Sequence, residues 1–457
     1  MTNGVDKIVA EMREVAPPGQ HDLDLATTEE LGRLTDLLLE ADPTAIDEYE
    51  RYLEVMDREL DISGTRSRLL LAYRGRRVLV TGGTGCIGSM LIRELMHYQP
   101  AEVFCFYTLD NDFEPVPGVV YTDVDLQDEA ATRQAMREVH PDVVFHCAAQ
   151  RSPWLAEREI ALTVRSNVLG TRNVLRGARD NDVINFVYAS TGKAMRYYTT
   201  DVYAASKKVG EWLVHEYAEE GRCTGAARFT HVVDNAVLLE KLRSVEGDPD
   251  GVMRVHGEDV GFYVQSAIES AQLMLIAGLQ TGPGLQLLAI RDLGYPPDLL
   301  RVVLGHLQAH PGSAHPAIYL SGHDKGYEPG NPPGLYDPST ATELSPLING
   351  IEARTAQPMP DVPDVDAFRM RLPNDPCVGT IVDDLATRCD DGDPLDIAAG
   401  LAAAVQHHAE AVFDACPDDL FTRLQHLAST SGATLPTTRR PDDRDAPHHE
   451  LRQRQVA

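Results

Sequence analysis

The chain reads Val78-Leu-Val-Thr-Gly-Gly-Thr-Gly-Cys-Ile-Gly88 where an apolar, β-branched run turns directly into glycines, and a helical spacing of apolar residues follows over 90–95. Unpaired N–H groups at the start of such a helix, together with the helix dipole, favour a bound pyrophosphate. Glycines allow the tight turn and the close approach of the phosphates. An ordinary strand-to-helix turn is the alternative. We predict a dinucleotide site formed by Gly82, Thr84, Gly85, Cys86, Ile87 and Gly88.

Apolar runs recur at 103–107, 119–121, 143–146 and 186–188, and helical patterns separate most of them. Such alternation is typical of a parallel, doubly wound sheet. We therefore predict an α/β fold, a Rossmann sheet with a smaller α/β substrate domain and helical extensions at both ends.

The predicted organisation begins with an acidic helical extension (1–75) and an NAD(P)-binding Rossmann domain (76–235). A substrate-binding region (236–355), a C-terminal helical region (356–435) and a disordered tail (436–457) follow. We interpret the N-terminal extension as helices that dock onto apolar surface. The alternative is an arm that binds a partner or mediates oligomerisation.

Composition limits the function. The 457 residues carry a formal net charge of −29, which argues against nucleic acid and anionic membrane surfaces as partners. No apolar run is long enough to span a bilayer, and no signal peptide is recognisable. The seven cysteines lack metal-ligand spacing, so we expect reduced thiols, no metal and a cytoplasmic protein. Cys86 and Cys147 are interpreted as packing residues.

A second segment, Ala189-Ser-Thr-Gly-Lys193, follows the fifth apolar run; ten residues later comes Tyr203, and Lys207 lies four further on. Residues at i and i+4 share a helix face, so the lysine would lower the pKa of the tyrosine. Ser190 or Thr191 would share the proton. Such a tyrosine can take a proton from a sugar hydroxyl while the carbon gives a hydride to a nicotinamide. A surface pair of helical residues is the alternative.

These motifs carry a family resemblance. The chain resembles the extended short-chain dehydrogenases/reductases, and within them the polysaccharide-biosynthesis group of nucleotide-sugar 4,6-dehydratases and 5-epimerases. The resemblance covers about 76–235, is thin to about 355, and includes neither the N-terminal extension nor the last hundred or so residues. The matching segments, in order, are Thr81-Gly-Gly-Thr-Gly-Cys-Ile-Gly88, Asp125-Leu-Gln-Asp128, His146-Cys-Ala-Ala149, Ser166-Asn-Val-Leu-Gly-Thr-Arg-Asn173, Ser190-Thr-Gly-Lys193, Tyr203 with Lys207, and Arg228-Phe-Thr-His-Val-Val233.

The resemblance implies which residues meet the ligands. Asp125 would bind the adenine, and Asn167 is similar to the family's structural asparagine. Beyond the glycine turn, the implied cofactor contacts are Asp125, Leu126, Ala148, Ala149, Asn167, Tyr203 and Lys207. The implied substrate contacts are Arg151, His231 and Asn235. Catalysis would use Tyr203, Lys207, Lys193, Thr191 and Ser190.

Family chemistry oxidises C4 of the sugar, removes the C5 proton, expels the C6 hydroxyl and returns the hydride. Lys193 aligns with the C5 base, although it could instead pair with a substrate phosphate. The family usually has an acidic residue before this lysine to expel the hydroxyl, whereas this chain has Gly192. That departure favours C5 or C4 epimerisation over dehydration. Oxidation followed by release of the ketone stays open.

Other positions depart from the family too. His231 stands where asparagine is common, and the family's arginine-glycine-glutamate-lysine segment is replaced by residues 322–327 and 334–338, which are either a substrate loop or ordinary turns. Arg151 stands where lysine is frequent and is a phosphate candidate; its alternative partner is Glu157.

The choice of cofactor follows from the end of the second strand. The residue that selects between NAD and NADP is expected near Tyr107 and Thr108, and neither of these is acidic or basic. Asp110 and Asp112 come shortly after. We expect NAD, because no base is present to meet a 2′-phosphate, and NADP stays open.

The leading hypothesis is an enzyme that modifies a nucleotide-activated sugar through a transient 4-keto intermediate. The resemblance also implies a homodimer formed through the helix that bears Tyr203 and its neighbour. A dehydrogenase or reductase of a sugar, nucleoside or secondary metabolite is the alternative. A cofactor-binding regulatory or scaffold protein without catalysis is a third hypothesis.

Overall fold

The structure is a computed structural model that describes residues 2–20, 22–108, 113–235, 237–244, 251–257, 262–280, 282, 284–294, 296–310, 315–323, 344–370 and 377–431. Asp110, Asp112, the segment 334–338, most of the segment 322–327 and the tail 436–457 lie outside the described residues. Within the described ranges, no helix combines the length and apolarity that a bilayer crossing requires.

The strands have these bounds: β1 (Arg77–Thr81), β2 (Glu102–Tyr107), β3 (Val119–Asp123), β4 (Val143–His146), β5 (Asn185–Thr191), β6 (Cys223–Phe229), β7 (His231–Val232), β8 (Val252–Val255), β9 (Val264–Gln265), β10 (Gly284–Ile290), β11 (Ala317–Leu320), β12 (Gln357–Met359) and β13 (Val362–Arg369).

The helices have these bounds: α1 (Thr2–Val15), α2 (Leu25–Ala41), α3 (Ala45–Glu54), α4 (Arg66–Tyr73), α5 (Cys86–Met96), α6 (Glu129–Val139), α7 (Pro153–Arg158), α8 (Ile160–Val164), α9 (Gly170–Asp180), α10 (Val202–Glu219), α11 (Val237–Ser244), α12 (Ala267–Ala277), α13 (Leu299–Ala309), α14 (Val378–Asp391), α15 (Pro394–Asp414) and α16 (Asp418–Ser431).

One large sheet organises the molecule. Its strands run in the order β12-β13-β10-β6-β5-β4-β1-β2-β3. The strands from β3 to β10 pair in parallel, and β13 and β12 add antiparallel strands at the far edge. The chain reverses its winding between β1 and β4, where ligands bind in doubly wound sheets. This topology confirms the predicted Rossmann fold.

Helices cover both faces of the sheet. Helices α5 and α12 contact each other on one face, while α6, α9 and α10 cover the other. The central strands are buried on both sides, as the four buried residues of β4 illustrate. Continuous burial explains why these strands read as uninterrupted apolar runs rather than as alternating patterns.

A second, smaller core joins two distant parts of the sequence. Helices α1–α3 pack with α13 and the parallel pair of β8 and β11, around buried residues such as Leu34, Leu38, Val303 and Ile318. The N-terminal helices therefore dock onto apolar surface, as we predicted. They do not form a separate unit, because α4 packs with the large sheet and α1–α3 complete the smaller core.

The region 356–435 is not purely helical, which corrects its predicted character. It begins with β12 and β13, and β13 pairs with β10 from Gln286 opposite Arg369 to Ile290 opposite Val365. Residues Val362, Val365 and Phe368 of β13 are buried in the large core. This region is thus an integral part of the Rossmann sheet.

The helices that follow cover α10. Helix α15 packs along α10, and the fully buried Trp212 ring stacks on His407 at 5.9 Å between centroids and meets the edge of His408 at 5.4 Å. Nearly every residue of α10 is buried as a result. The homodimer that we predicted through this helix stays a prediction, and a second chain would have to reach α10 past α15.

Candidate functional site

The glycine turn forms a tight cradle between β1 and α5. Gly82 has a left-handed backbone (φ 68°), and a Cβ on it would lie 2.7 Å from the N and Cα atoms of Ala148. A Cβ on Gly88 would lie 2.3 Å from the carbonyl oxygen of Gly82. Side chains cannot replace these glycines, because the backbones of β1, α5 and the β4 loop approach so closely. Such a cradle fits a pyrophosphate on the N-terminus of α5.

The other predicted residues of the turn line this cradle. Gly85 is the N-cap of α5, while Cys86 and Ile87 open its first turn. With Thr84, all three are partly exposed. Burial raises the pKa of Cys86 to about 12, an effect that Asp234 reinforces and Arg151 opposes. A thiol with this pKa is no nucleophile near neutral pH, in line with a packing role.

A buried histidine fastens the cradle from behind. His146, at the end of β4, bonds through Nδ1 to the Thr81 hydroxyl at 2.7 Å and through Nε2 to the Thr171 hydroxyl at 3.0 Å. Burial lowers its pKa to about 3, so the ring is neutral. Since Thr171 donates its proton to the Asn167 carbonyl oxygen, it accepts from Nε2–H, and Nδ1 accepts from Thr81. His146 therefore joins β1, β4 and α9.

Asn167 clamps the loop after β4. Its Oδ1 accepts from the backbone N–H of Gln150 at 2.8 Å, and its Nδ2 donates to the Gln150 carbonyl and to the Ser206 hydroxyl, both at 3.0 Å. It lies in a π-helical turn, Arg165–Leu169, and is 1% exposed. Both donor protons and the oxygen are used within the protein, which agrees with a structural role, and contact with a cofactor stays a prediction.

The adenine side of the predicted site lies at the end of β3. Asp125 is exposed, and its Oδ1 accepts from the backbone N–H of Gln127 at 2.9 Å. The carbonyl oxygen of Leu126 accepts from the Asn173 side chain at 2.9 Å, which anchors this loop to α9. The loop after β4 contributes Ala148 and Ala149, both partly exposed. These residues therefore stand at the carboxyl ends of β3 and β4, as a cofactor site requires.

Tyr203 and Lys207 lie one turn apart on α10, and Tyr203 is partly exposed. The Nζ of the buried Lys207 donates to the Ala189 carbonyl oxygen at 2.6 Å and lies 4.5 Å from the centre of the Tyr188 ring. Burial lowers the pKa of Lys207 to about 8, so the side chain is mostly a cation at neutral pH. A fixed cation on this face of α10 favours a phenolate at Tyr203.

Ser190 and Thr191 differ in their surroundings. The Ser190 hydroxyl donates to the buried carboxylate of Glu211 at 2.5 Å, and Glu211 accepts two further bonds at 2.8 Å from Arg228. Glu352 binds the same guanidinium at 2.7 Å. Ser190 thus belongs to a buried ionic network, and its predicted place beside the reacting proton stays a prediction. Thr191, whose Oγ1 accepts weakly from the Lys193 backbone N–H at 3.4 Å, is the better placed hydroxyl.

Lys193 is held by a carboxylate that the sequence did not suggest. Its Nζ lies 3.4 Å from Oδ2 of Asp201, and Nη1 of Arg196 lies 3.5 Å from the same oxygen. Asp201 also caps α10 by accepting from the backbone N–H of Ala204 at 2.9 Å. The same residue thus orients the Tyr203 helix and stabilises the ammonium form of Lys193.

The turn that carries Lys193 packs against a segment far along the chain. A Cβ on Gly192 would lie 2.5 Å from Cδ2 of Leu347, whose side chain is 6% exposed. The Leu347 carbonyl oxygen accepts from Arg228 at 3.1 Å. Lys208 and Asn349 hold the turn itself, donating to the carbonyl oxygens of Ala194 and Met195 at 3.0 and 2.9 Å. The place of the family's acid is therefore filled by a buried leucine.

His231 begins β7, two residues after the end of β6, and is partly exposed. Its Nε2 lies 3.0 Å from the Tyr52 hydroxyl, which comes from α3 in the N-terminal extension. Asn235 belongs to the 3₁₀ turn Val233–Asn235, which contacts α5. Arg151 is exposed in the loop after β4, and its positive charge works to lower the pKa of the Cys86 thiol. Arg151, His231 and Asn235 thus come from segments that border the cofactor turn, and their contact with substrate stays a prediction.

Three residues of this site were not predicted from the sequence: Tyr52, Asp201 and Leu347. Asp201 carried a usable signal, because an aspartate two residues before a helical tyrosine is a typical N-cap. Tyr52 and Leu347 meet the site only through long-range packing. Among the described residues, no group of histidine, cysteine, aspartate or glutamate side chains is arranged to hold a metal ion.

Curated relatives match part of the chain. The capsular polysaccharide biosynthesis protein CapD of Staphylococcus aureus is 27% identical over 238 residues, 48% of this chain and 38% of that protein. The probable polysaccharide biosynthesis protein EpsC of Bacillus subtilis is 26% identical over 249 residues, 52% of this chain and 40% of that protein. A UDP-N-acetylglucosamine 4,6-dehydratase (inverting) of Campylobacter jejuni is 29% identical over 149 residues, 31% of this chain and 43% of that protein. The chain spans less than half the length of each of these relatives.

Solved structures support the fold. Pen from Bacillus thuringiensis superposes with a TM-score of 0.53 at 20% identity, covering 66% of this chain and 90% of that one. The epimerase Mth375 of Methanothermobacter thermautotrophicus gives 0.50 at 19% identity, covering 65% and 91%.

The family assignment rests on a match that begins in the cofactor strand. Residues 78–322 match the sequence model of the NAD dependent epimerase/dehydratase family. The match spans more than half of the chain and includes the glycine cradle, Tyr203 and Lys207. It confirms the predicted resemblance to extended short-chain dehydrogenases/reductases and the expectation of NAD as the cofactor. The chain belongs to the NAD dependent epimerase/dehydratase family.

Proposed function

We propose that the protein is an NAD-dependent enzyme that epimerises a nucleotide-activated sugar at C4 through a transient 4-keto intermediate, without loss of water. Similarity to proteins named for polysaccharide biosynthesis and to a UDP-sugar dehydratase supports the substrate class. One observation carries the choice of epimerisation: Leu347 fills the space that an acid at position 192 would need.

The glycine cradle fits the pyrophosphate of NAD, since Gly82 and Gly88 let β1, the loop after β4 and α5 approach closely at the N-terminus of α5. Asp125 at the end of β3 would meet the adenine, and Arg151 a phosphate of the substrate. NAD, when bound, takes up the hydride from C4 of the sugar and gives it back.

Proton transfer falls to Tyr203. Its phenolate takes the proton from the C4 hydroxyl and returns it to the C4 oxygen after the hydride has come back on the other face of the ring. Lys207 supplies the positive charge that lowers the energy of the phenolate, and its bond to the Ala189 carbonyl oxygen fixes that charge. Thr191 shares the proton in place of Ser190, which the network of Glu211 engages.

Lys193 acts as a cation in this proposal. A C5 base must be neutral, whereas the pair with Asp201 stabilises the ammonium form. An ammonium at the carboxyl end of β5 would bind the diphosphate or the ketone oxygen of the intermediate. Without a neutral base and without the acid at position 192, neither exchange at C5 nor loss of the C6 hydroxyl is supported.

The test is a product analysis. Purified protein is incubated in heavy water with NAD and a panel of UDP-, dTDP- and GDP-hexoses, and the products are analysed by mass spectrometry and NMR. We expect a C4 epimer of unchanged mass, no deuterium at C5 and no net NADH. A product lighter by one water would establish a dehydratase instead, and deuterium at C5 would make Lys193 a base. Net formation of NADH would indicate a dehydrogenase.

A further inference from the structure

The N-terminal extension reaches the wall of the candidate site through one hydrogen bond. The Tyr52 hydroxyl lies 3.0 Å from Nε2 of His231, although the two residues are separated by 179 positions in the sequence. The edge of Phe262 packs against the imidazole, with 5.0 Å between ring centroids. Three aromatic rings from separate segments thus meet directly after the carboxyl end of β6.

The position of His231 relates it to the cofactor turn. It begins the segment that continues into the turn Val233–Asn235, which contacts α5. The negative charge of Asp234 in that turn raises the pKa of both the Cys86 thiol and the Tyr52 hydroxyl. His231 therefore stands near the start of α5, on the side of the cleft where the smaller core adjoins the Rossmann sheet.

The hydrogen-bond inventory decides which way the proton points. Tyr52 is 1% exposed, and within the described residues its hydroxyl makes this one bond. If Nε2–H were the donor, the phenolic proton would have no acceptor in a buried site, which is costly. Burial raises the pKa of Tyr52 and lowers that of His231 to about 4, so both groups are neutral near pH 7. Tyr52 therefore donates to Nε2, and the single imidazole proton sits on Nδ1.

We propose that Tyr52 is a positioning residue that locks His231 in its Nδ1–H tautomer, so that the imidazole donates a hydrogen bond to an oxygen of the nucleotide sugar. The identity of that ligand rests on the proposed function. An asparagine, which the family commonly has here, can offer the same type of donor from its amide. The histidine needs a fixed tautomer to do so, and helix α3 supplies the group that fixes it.

The N-terminal helices then contribute to the site as well as to the smaller core. A hydroxyl from α3 determines whether His231 presents a hydrogen-bond donor or an acceptor to the substrate. We expect loss of the Tyr52 hydroxyl to leave the NAD cradle intact, since the cradle is built from β1, α5 and the loop after β4.

Tyr49 provides a matched control on the same helix. Its hydroxyl lies 3.1 Å from Nδ1 of His306 in the smaller core, so Tyr49→Phe also removes a buried tyrosine–histidine bond from α3. Tyr52→Phe and Tyr49→Phe remove one oxygen atom each. Any difference between them at the site reports on His231 rather than on stability of the extension.

The first experiment reads the tautomer directly and needs no substrate. Protein labelled with ¹⁵N-histidine is studied by long-range ¹H–¹⁵N correlation, and the His231 signals among the sixteen histidines are assigned from their loss in His231→Asn. We expect an Nδ1–H pattern in the native chain and in Tyr49→Phe. In Tyr52→Phe we expect it to shift toward the Nε2–H form. An Nε2–H pattern in the native chain, or no change in Tyr52→Phe, would overturn the proposal.

The second experiment asks whether the donor meets substrate. Binding of NAD and of UDP-glucose is measured by calorimetry in all three variants and the native chain. We expect Tyr52→Phe to lower the affinity for UDP-glucose about three- to tenfold, as loss of one hydrogen bond does, and to leave the affinity for NAD unchanged. Equal UDP-glucose affinity in Tyr52→Phe and Tyr49→Phe contradicts the substrate role. If the native chain binds no nucleotide sugar, the proposed function fails while the tautomer result stands.

Discussion

Leu347 occupies the space in front of Gly192: a Cβ on the glycine would lie 2.5 Å from Cδ2 of the leucine. The leucine is buried in the large core, and its carbonyl oxygen accepts from Arg228, which fixes the backbone at this position. A side chain at position 192 would therefore have to displace the Leu347 side chain, which comes from a distant part of the chain.

This contact predicts a measurable coupling. Gly192→Ala alone should destabilise the protein by about 1–3 kcal/mol through overpacking, and Leu347→Ala alone by about 2–5 kcal/mol through a cavity. In the double variant the added methyl group meets no leucine side chain, so the combined loss should fall short of the sum by about 1 kcal/mol or more. Urea unfolding of the four proteins measures the coupling. Additive losses would show that the two positions do not compete for space.

A second prediction concerns the cofactor cradle. Gly82→Ala places a methyl group against the backbone of Ala148 and strains a left-handed residue, so NAD affinity should fall at least tenfold. Gly88→Ala should do the same through its contact with the Gly82 carbonyl oxygen. Gly379→Ala is the control, because no atom lies within 4 Å of the added Cβ in α14. Calorimetric titration with NAD measures the affinities. Equal affinity in all three variants would show that the cradle is not part of the NAD site.

Loss of the Tyr203 hydroxyl separates an enzyme from a cofactor-binding scaffold. Tyr203→Phe should lower kcat about 10²- to 10⁴-fold, the range for loss of a general acid–base group, with NAD affinity within twofold of native. The turnover is measured on whichever nucleotide sugar the product analysis identifies. A Tyr203→Phe protein with native turnover would show that the proton is carried elsewhere.

Much of this site was predictable because its signals are local. Strand, glycine turn and helix follow one another in β1 and α5, so the cradle is readable without the fold. Tyr203 and Lys207 are four apart on one helix, and their relation needs only the helical period. The order of parallel strands then brings these local motifs to one edge of the sheet.

Residues that act across long sequence separations were not predictable. Nothing in the composition around Leu347 distinguishes it from any other core leucine, and Tyr52 lies in an ordinary amphipathic helix. The sequence left Ser190 and Thr191 as equal candidates for sharing the proton, because it does not show that Glu211 and Arg228 hold Ser190 in a buried network. Antiparallel pairing of β13 with β10 likewise depends on tertiary contact, and the buried residues of β13 do not alternate along the strand.

The pKa of Lys208 gives a stability prediction with a definite sign. Burial lowers the pKa of Lys208 to about 8 in the folded protein, against about 10.4 for an unfolded lysine. Between these values the unfolded chain binds more protons, so the free energy of unfolding contributed by this group rises with pH. Relative to Lys208→Met, the native chain should therefore gain stability from about pH 8 to pH 10. Urea unfolding at several pH values tests this, and a constant difference contradicts it.

Helix α15 packs on α10, which predicts that two chains do not associate through α10. Resemblance to the family suggested a dimer through the helix of Tyr203, but Trp212 on that helix is 1% exposed beneath His407 and His408. A second chain could reach α10 only by displacing α15, which would expose residues of α15 such as Leu401 and Val405 that are now buried in the large core. We therefore expect no association through α10: light scattering should give a mass near 50.2 kDa or, if chains associate through another face, about twice that mass with Trp212 fluorescence unchanged on dilution. A mass of twice that value, together with fluorescence of Trp212 that changes on dilution, would show that α15 yields its place to a partner.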